Sequence, residues 1–173
     1  MKKYTNMSGL EFSIIERVGK DKVLVKFTET GSVVETWRGN CKAGKVADPF
    51  HKSRLGIGYL GFFQKTSYHK PAYQLWSNML KRCYDKNDKK GYYGRCVVAP
   101  EWHCYATFLD SLPKLEGFSD WKERKNMNLD KDILGDGTVY SHLTCKFVTE
   151  FENKSLGKKN KQFVNGEWVT TIL

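Results

Sequence analysis

The stretch from Leu129 to Ser155, LDKDILGDGTVYSHLTCKFVTEFENKS, constrains this chain more than any other. Leu129 to Ile133 reads as a short strand carrying two carboxylates, Asp130 and Asp132. Gly135, Asp136 and Gly137 turn the next segment into a loop. Cys145 to Val148 reads as a returning strand. Thr149-Glu150-Phe151-Glu152 is a Thr-x-x-Glu capping box, in which hydroxyl and carboxylate satisfy each other's backbone amides. A helix should therefore start there, carry Asn153 one turn in, and stop near Gly157. The order strand, loop, strand, helix brings Asp130 and Asn153 together from different elements. Two such oxygen donors suit a hard divalent cation that keeps several waters.

The rest of the chain supplies a frame for that segment. Residues 9–47 read as a small antiparallel meander, with strands near Glu11–Arg17, Val23–Phe27 and Ser32–Trp37. Three short strands need further cover to be stable. Gly56-Ile57-Gly58-Tyr59-Leu60-Gly61 fits the spacing of a dinucleotide fingerprint. That motif needs a preceding strand and a helix beginning inside it. Phe62-Phe63-Gln64-Lys65 follows instead, so the stretch reads as a glycine-rich connection. Pro71 to Tyr84 is the clearest helix, with Tyr73, Trp76, Leu80 and Cys83 at helical spacing on a core-facing stripe. Trp102, Tyr105 and Phe108 can share a face packed on it, and Phe118 and Trp121 should join that core. Near the C-terminus, Asn165-Gly166 between β-rich residues signals a two-residue hairpin.

Charge narrows the function classes. The net charge is +10, and its distribution is uneven. Residues 61–100 hold eight basic side chains against two acidic ones, whereas residues 101–150 hold six against nine. A basic body beside an acidic segment fits polyanion binding with a local cation site. Lys81, Arg82, Lys89, Lys90 and Arg95 form the densest basic cluster and are the candidate DNA contacts. No apolar run reaches the length of a membrane span, and Met1-Lys2-Lys3 leads into Tyr4-Thr5-Asn6 rather than a signal sequence. Five cysteines without a C-x-x-C pair read as reduced thiols rather than as a zinc site.

At Leu129-Asp130-Lys131, Thr144-Cys145-Lys146-Phe147-Val148-Thr149 and Asn153, the chain resembles the ββα-metal core of HNH endonucleases, in the homing-type form common in bacteriophages. Upstream, Trp76-x-x-Met79-x-x-Arg82-Cys83-Tyr84, then Tyr93-Gly94-Arg95, Glu101-Trp102 and Phe108, is similar to that family's pre-catalytic region. The meander, Gly44-Lys45-Val46-x-Asp48-Pro49 and the glycine stretch are similar to its N-terminal part. The resemblance implies Asp130 and Asn153 as ligands of magnesium or manganese. It places Lys131 at the position of the general-base His, and Thr144 where an Asn often orients that His. An ammonium carries no lone pair to accept a proton. Lys131 is thus expected to pair with a phosphate, and His142 is the nearby imidazole that could stand in as base.

The expected architecture is α+β. Residues 1–55 form an N-terminal antiparallel β lobe, 56–70 a glycine-rich connection, 71–157 a helix plus ββα-metal domain, and 158–173 a basic C-terminal hairpin. The expected function is that of a phage-type DNA-binding protein with weak or no endonuclease activity, acting on double-stranded DNA in the host cytoplasm. The alternative is a phage factor that binds a host defence, transcription or replication protein, because fold does not settle function.

Overall fold

A computed structural model describes residues 2–88, 93–123, 125–156, 161–164 and 167–170, with side chains as far as Ser155. The chain is mixed α+β and divides into two compact units, Met1–Phe63 and Gln64–Leu173.

The first unit is a four-stranded antiparallel meander: β1 (Lys3–Thr5), β2 (Glu11–Val18), β3 (Lys22–Phe27) and β4 (Val33–Trp37), in that order across the sheet. The three strands read from sequence are present, and β1 adds a fourth by pairing Tyr4 with Phe12. Alternation sends Phe12, Val23, Val25 and Phe27 to one face, where they are buried. The cover that this face needs comes from the short helix α1 (Arg38–Lys42), whose Cys41 joins the core together with Val46. A bulge between Ile14 and Glu16 shifts the β2–β3 register and leaves Ile15 exposed.

Two buried polar side chains tie the connections down. Asn6 donates to the Val46 carbonyl at 2.9 Å and accepts from the amides of Ser8 and Leu10. Asp48 accepts from the hydroxyls of Thr30 and Ser32 at 2.6 and 2.7 Å and from the Phe50 amide. The Asp-Pro segment is thereby anchored to the β3–β4 turn. The glycine stretch is more than a connection: Gly61 N–H donates to the Pro49 carbonyl at 2.8 Å, and Phe50 packs against Tyr59 and Phe62. It folds back on its own unit as far as Phe63.

The second unit is built around α2 (His69–Tyr84), which starts two residues before Pro71. Ala72, Trp76, Ser77, Met79, Leu80 and Cys83 are its buried positions. Tyr73 sits at the margin of that stripe and is exposed, although its ring touches Trp76 and Tyr105. Trp76 Nε1–H donates to the Trp102 carbonyl at 2.7 Å, so the buried indole keeps a partner. β5 (Val97–Val98) leads into the 3₁₀ turn Pro100–His103 and α3 (Tyr105–Ser111). Trp102, Tyr105 and Phe108 are fully buried against α2, and the Tyr105 hydroxyl donates to the His69 carbonyl at 2.6 Å.

α4 (Phe118–Lys122), β6 (Met127–Asp130), β7 (Val139–Tyr140), β8 (Lys146–Thr149) and α5 (Glu150–Leu156) complete the frame of the site. β6 and β8 pair antiparallel, with Leu129 opposite Phe147 and Asp130 opposite Lys146. Trp121 stacks on Phe147 at 5.0 Å. Gly117 has φ +78°, and a Cβ there would strike the Phe147 carbonyl. β9 (Lys161–Val164) and β10 (Glu167–Thr170) pair antiparallel with Val164 opposite Glu167, flanking Asn165 and Gly166, which lie outside the described residues. No helix among the described residues is long and apolar enough to cross a membrane.

Candidate functional site

β6 ends earlier than its sequence pattern suggests, at Asp130 rather than Ile133. The cause is the Asp130 carboxylate itself. Its Oδ2 accepts the amides of Asp132 and Ile133, both at 2.9 Å, and this folds the chain out of the strand. Asp130 is only 3% exposed. The two amides supply what a buried carboxylate needs in place of water.

Lys131 points inward. It is 3% exposed, and its Nζ donates to Asp132 Oδ1 at 2.7 Å while lying 5.3 Å from the centre of the Tyr140 ring. The sequence reading gave this ammonium to a phosphate; the fold gives it an internal carboxylate and an aromatic face. Gly137 makes the arrangement possible, because a Cβ there would sit 2.5 Å from Asp132 Oδ1. Tyr140 is delivered by β7, which pairs parallel with β5, the Ala99 amide donating to the Tyr140 carbonyl at 2.9 Å. Burial pushes the Tyr140 phenol well above its usual range, and Arg82, hydrogen-bonded to it, opposes that shift. Arg82 is half-buried, unlike the exposed Lys81 and Arg95. Lys89 and Lys90 lie outside the described residues.

The Thr144 hydroxyl bonds within its own turn. It donates to the Val139 carbonyl at 2.7 Å and accepts the Ser141 amide at 3.1 Å, closing the turn after β7. His142 projects from the same turn, about half exposed, with Nδ1 3.6 Å from Glu101 Oε1. Beneath the turn, burial raises the Cys145 thiol to about 12.

The capping box forms as its sequence dictates. Glu152 Oε2 accepts the Thr149 amide at 2.8 Å, and Thr149 Oγ1 accepts the Glu152 amide at 3.2 Å. The Thr149 amide, and next the Thr149 hydroxyl donating to the same Oε2 at 2.8 Å, hold the Glu152 carboxyl below its usual range. Asn153, on the helix so started, is half-buried and lines a cleft with Asn126, Met127, Asn128, Glu150 and Lys154. Asn128 and Asp130 share one face of β6 by strand alternation, but Asp130 does not line that cleft. Among the described residues, no three His, Cys, Asp or Glu side chains group into a metal site. Asp132 and Tyr140, the partners of Lys131, had no sequence signal beyond the adjacency of Asp132.

Comparison with known proteins gives no matching family model, no matching curated protein and no matching solved structure.

Proposed function

We propose that this chain is a DNA-binding protein of HNH-like ββα build whose general-base position is filled by a lysine, leaving it with little or no nuclease activity. The observation that carries the reading is the strand–loop–strand–helix order of β6, β8 and α5, with Asp130 ending the first strand and Asn153 on the capped helix. The net charge of +10 and the exposed Lys81 and Arg95 support a polyanionic partner.

One carboxylate and one amide oxygen form a donor set that fits a magnesium or manganese ion keeping most of its water shell. Asn153 would offer its oxygen from the cleft it lines, and Asp130, buried and outside that lining, would have to turn toward it; such an ion would supply charge stabilisation at phosphate oxygens. Asp130 is already turned and fixed by two amide donors, so its free geometry is narrow. Lys131 contributes a positive charge held in place and takes up no proton. Thr144 secures the turn that carries His142.

The test is incubation of the full chain with supercoiled plasmid and magnesium or manganese, read for both retardation and nicking. Retardation with little or no nicking is the expected result, and Lys131→His together with Thr144→Asn should raise nicking. Strong metal-dependent nicking by the unaltered chain, lost in His142→Ala, would overturn the proposal and make His142 the base. A stoichiometric complex with a host protein, with no DNA retardation, would favour the protein-binding alternative.

A further inference from the structure

Cys83 lies in the last turn of α2, and Cys96 stands one residue before β5. Both side chains are buried, and their sulfurs are 2.9 Å apart. A disulfide bond is about 2.04 Å long, so closing this pair needs a movement of about 1 Å. A cleft of about 360 Å³ is lined by both cysteines together with Tyr84, Tyr93, Arg95 and Thr138.

The surroundings set how readily Cys83 forms its reactive thiolate. Burial, and next the adjacent Cys96 sulfur, push the Cys83 thiol above its usual range. The positive charges of Lys131 and Arg82 act in the opposite sense and favour the thiolate. Only the thiolate is nucleophilic. A buried, mostly protonated thiol beside a second thiol reacts slowly, but its first oxidation product meets a resolving sulfur at once.

We propose that Cys83 and Cys96 are a thiol-oxidation site that forms a reversible disulfide, joining the C-terminal end of α2 to the strand β5. With a peroxide as oxidant, the thiolate of one cysteine attacks a peroxide oxygen. The O–O bond breaks, a sulfenic acid forms, and the leaving oxygen takes up a proton as water. The second sulfur then attacks the sulfenic sulfur, the S–O bond breaks, and a second water departs. The two sulfurs lose two electrons and hydrogen peroxide gains them. Intracellular disulfides in proteins of ordinary temperature range are transient and redox-sensing when they occur, which is the behaviour assigned here. The inference is independent of DNA binding.

The experiment treats the native full chain with hydrogen peroxide, alkylates the remaining thiols, and maps the peptides without reduction. The expected product has lost two hydrogens, about 2 Da, and its alkylatable thiols have fallen from five to three. Its map contains a Cys83–Cys96 linked peptide that dithiothreitol abolishes. The urea-unfolded chain, oxidised in the same way, should give mixed pairings. A native chain that keeps five alkylatable thiols, accumulates sulfinic acid at Cys83 or Cys96, or gives the same mixture as the unfolded chain would overturn the proposal. Cys96→Ser should lose the linked peptide, and a persisting crosslink at Cys83 in that variant would count equally against it.

Discussion

Asp130 offers a clean separation of charge from hydrogen bonding. Its Oδ2 is the acceptor for the amides of both Asp132 and Ile133, in a carboxylate almost wholly out of water. A hydrogen bond to a charged acceptor contributes about 1.5–3 kcal/mol. Asp132 and Ile133 are only half-buried, so the lower end applies to each. Asp130→Ala should therefore cost about 3 kcal/mol locally. Asp130→Asn keeps an oxygen in the same place and loses only the charge, for about 1 kcal/mol. Amide hydrogen exchange reads the difference directly, because protection tracks the free energy of local opening. At tenfold per 1.4 kcal/mol, the Asp132 and Ile133 amides should exchange roughly 100-fold faster in the alanine variant. In the asparagine variant the change should be about fivefold. Equal protection of those two amides in both variants would refute the view that this carboxylate ends β6.

Thr149→Ala should destabilise α5 by about 1 kcal/mol, seen as lost helical circular dichroism at lower urea. The Glu152 carboxyl is held below its usual range in the folded chain, so its contribution is present above the ordinary Glu value. It fades as pH falls through the folded value, and Glu152→Gln should flatten that acid-side loss; an unchanged pH profile would remove Glu152 from the cap. Gly117→Ala places a side chain at positive φ against the Phe147 carbonyl and should lower the melting temperature by several degrees, from a cost above about 1 kcal/mol. Lys81→Glu with Arg95→Glu should weaken duplex binding to the same extent on unrelated sequences in gel-shift titrations. Parent-like affinity would move the binding surface elsewhere.

Much of this fold is written locally. The Thr-x-x-Glu box at 149–152 states a helix start in four residues, and the alternation of Val23, Val25 and Phe27 states a strand and its buried face. β1 escapes such reading because three residues carry no period, and its pairing with β2 decides it. The candidate site is less legible because its partners come from far along the chain. Lys131 reads as a surface cation until Tyr140 is placed over it, and Tyr140 is placed by a two-residue parallel pairing with β5. Lys131 to Ile133 read as a continuation of the strand because the competition of the Asp130 carboxylate for the Asp132 and Ile133 amides is invisible in a hydropathy pattern. The Cys83–Cys96 pair is hidden for the same reason, since a helix end and a strand start meet only in three dimensions.

The most direct measurement of the central claim is the affinity of the full chain for a short duplex across a series of salt concentrations. Binding through phosphates releases counterions, so log affinity should fall linearly with log salt, by about 0.9 for each phosphate neutralised. A steep line of several phosphate equivalents, alike for unrelated sequences, is the predicted result. Absence of duplex binding at low salt, or an affinity indifferent to salt, would contradict the account.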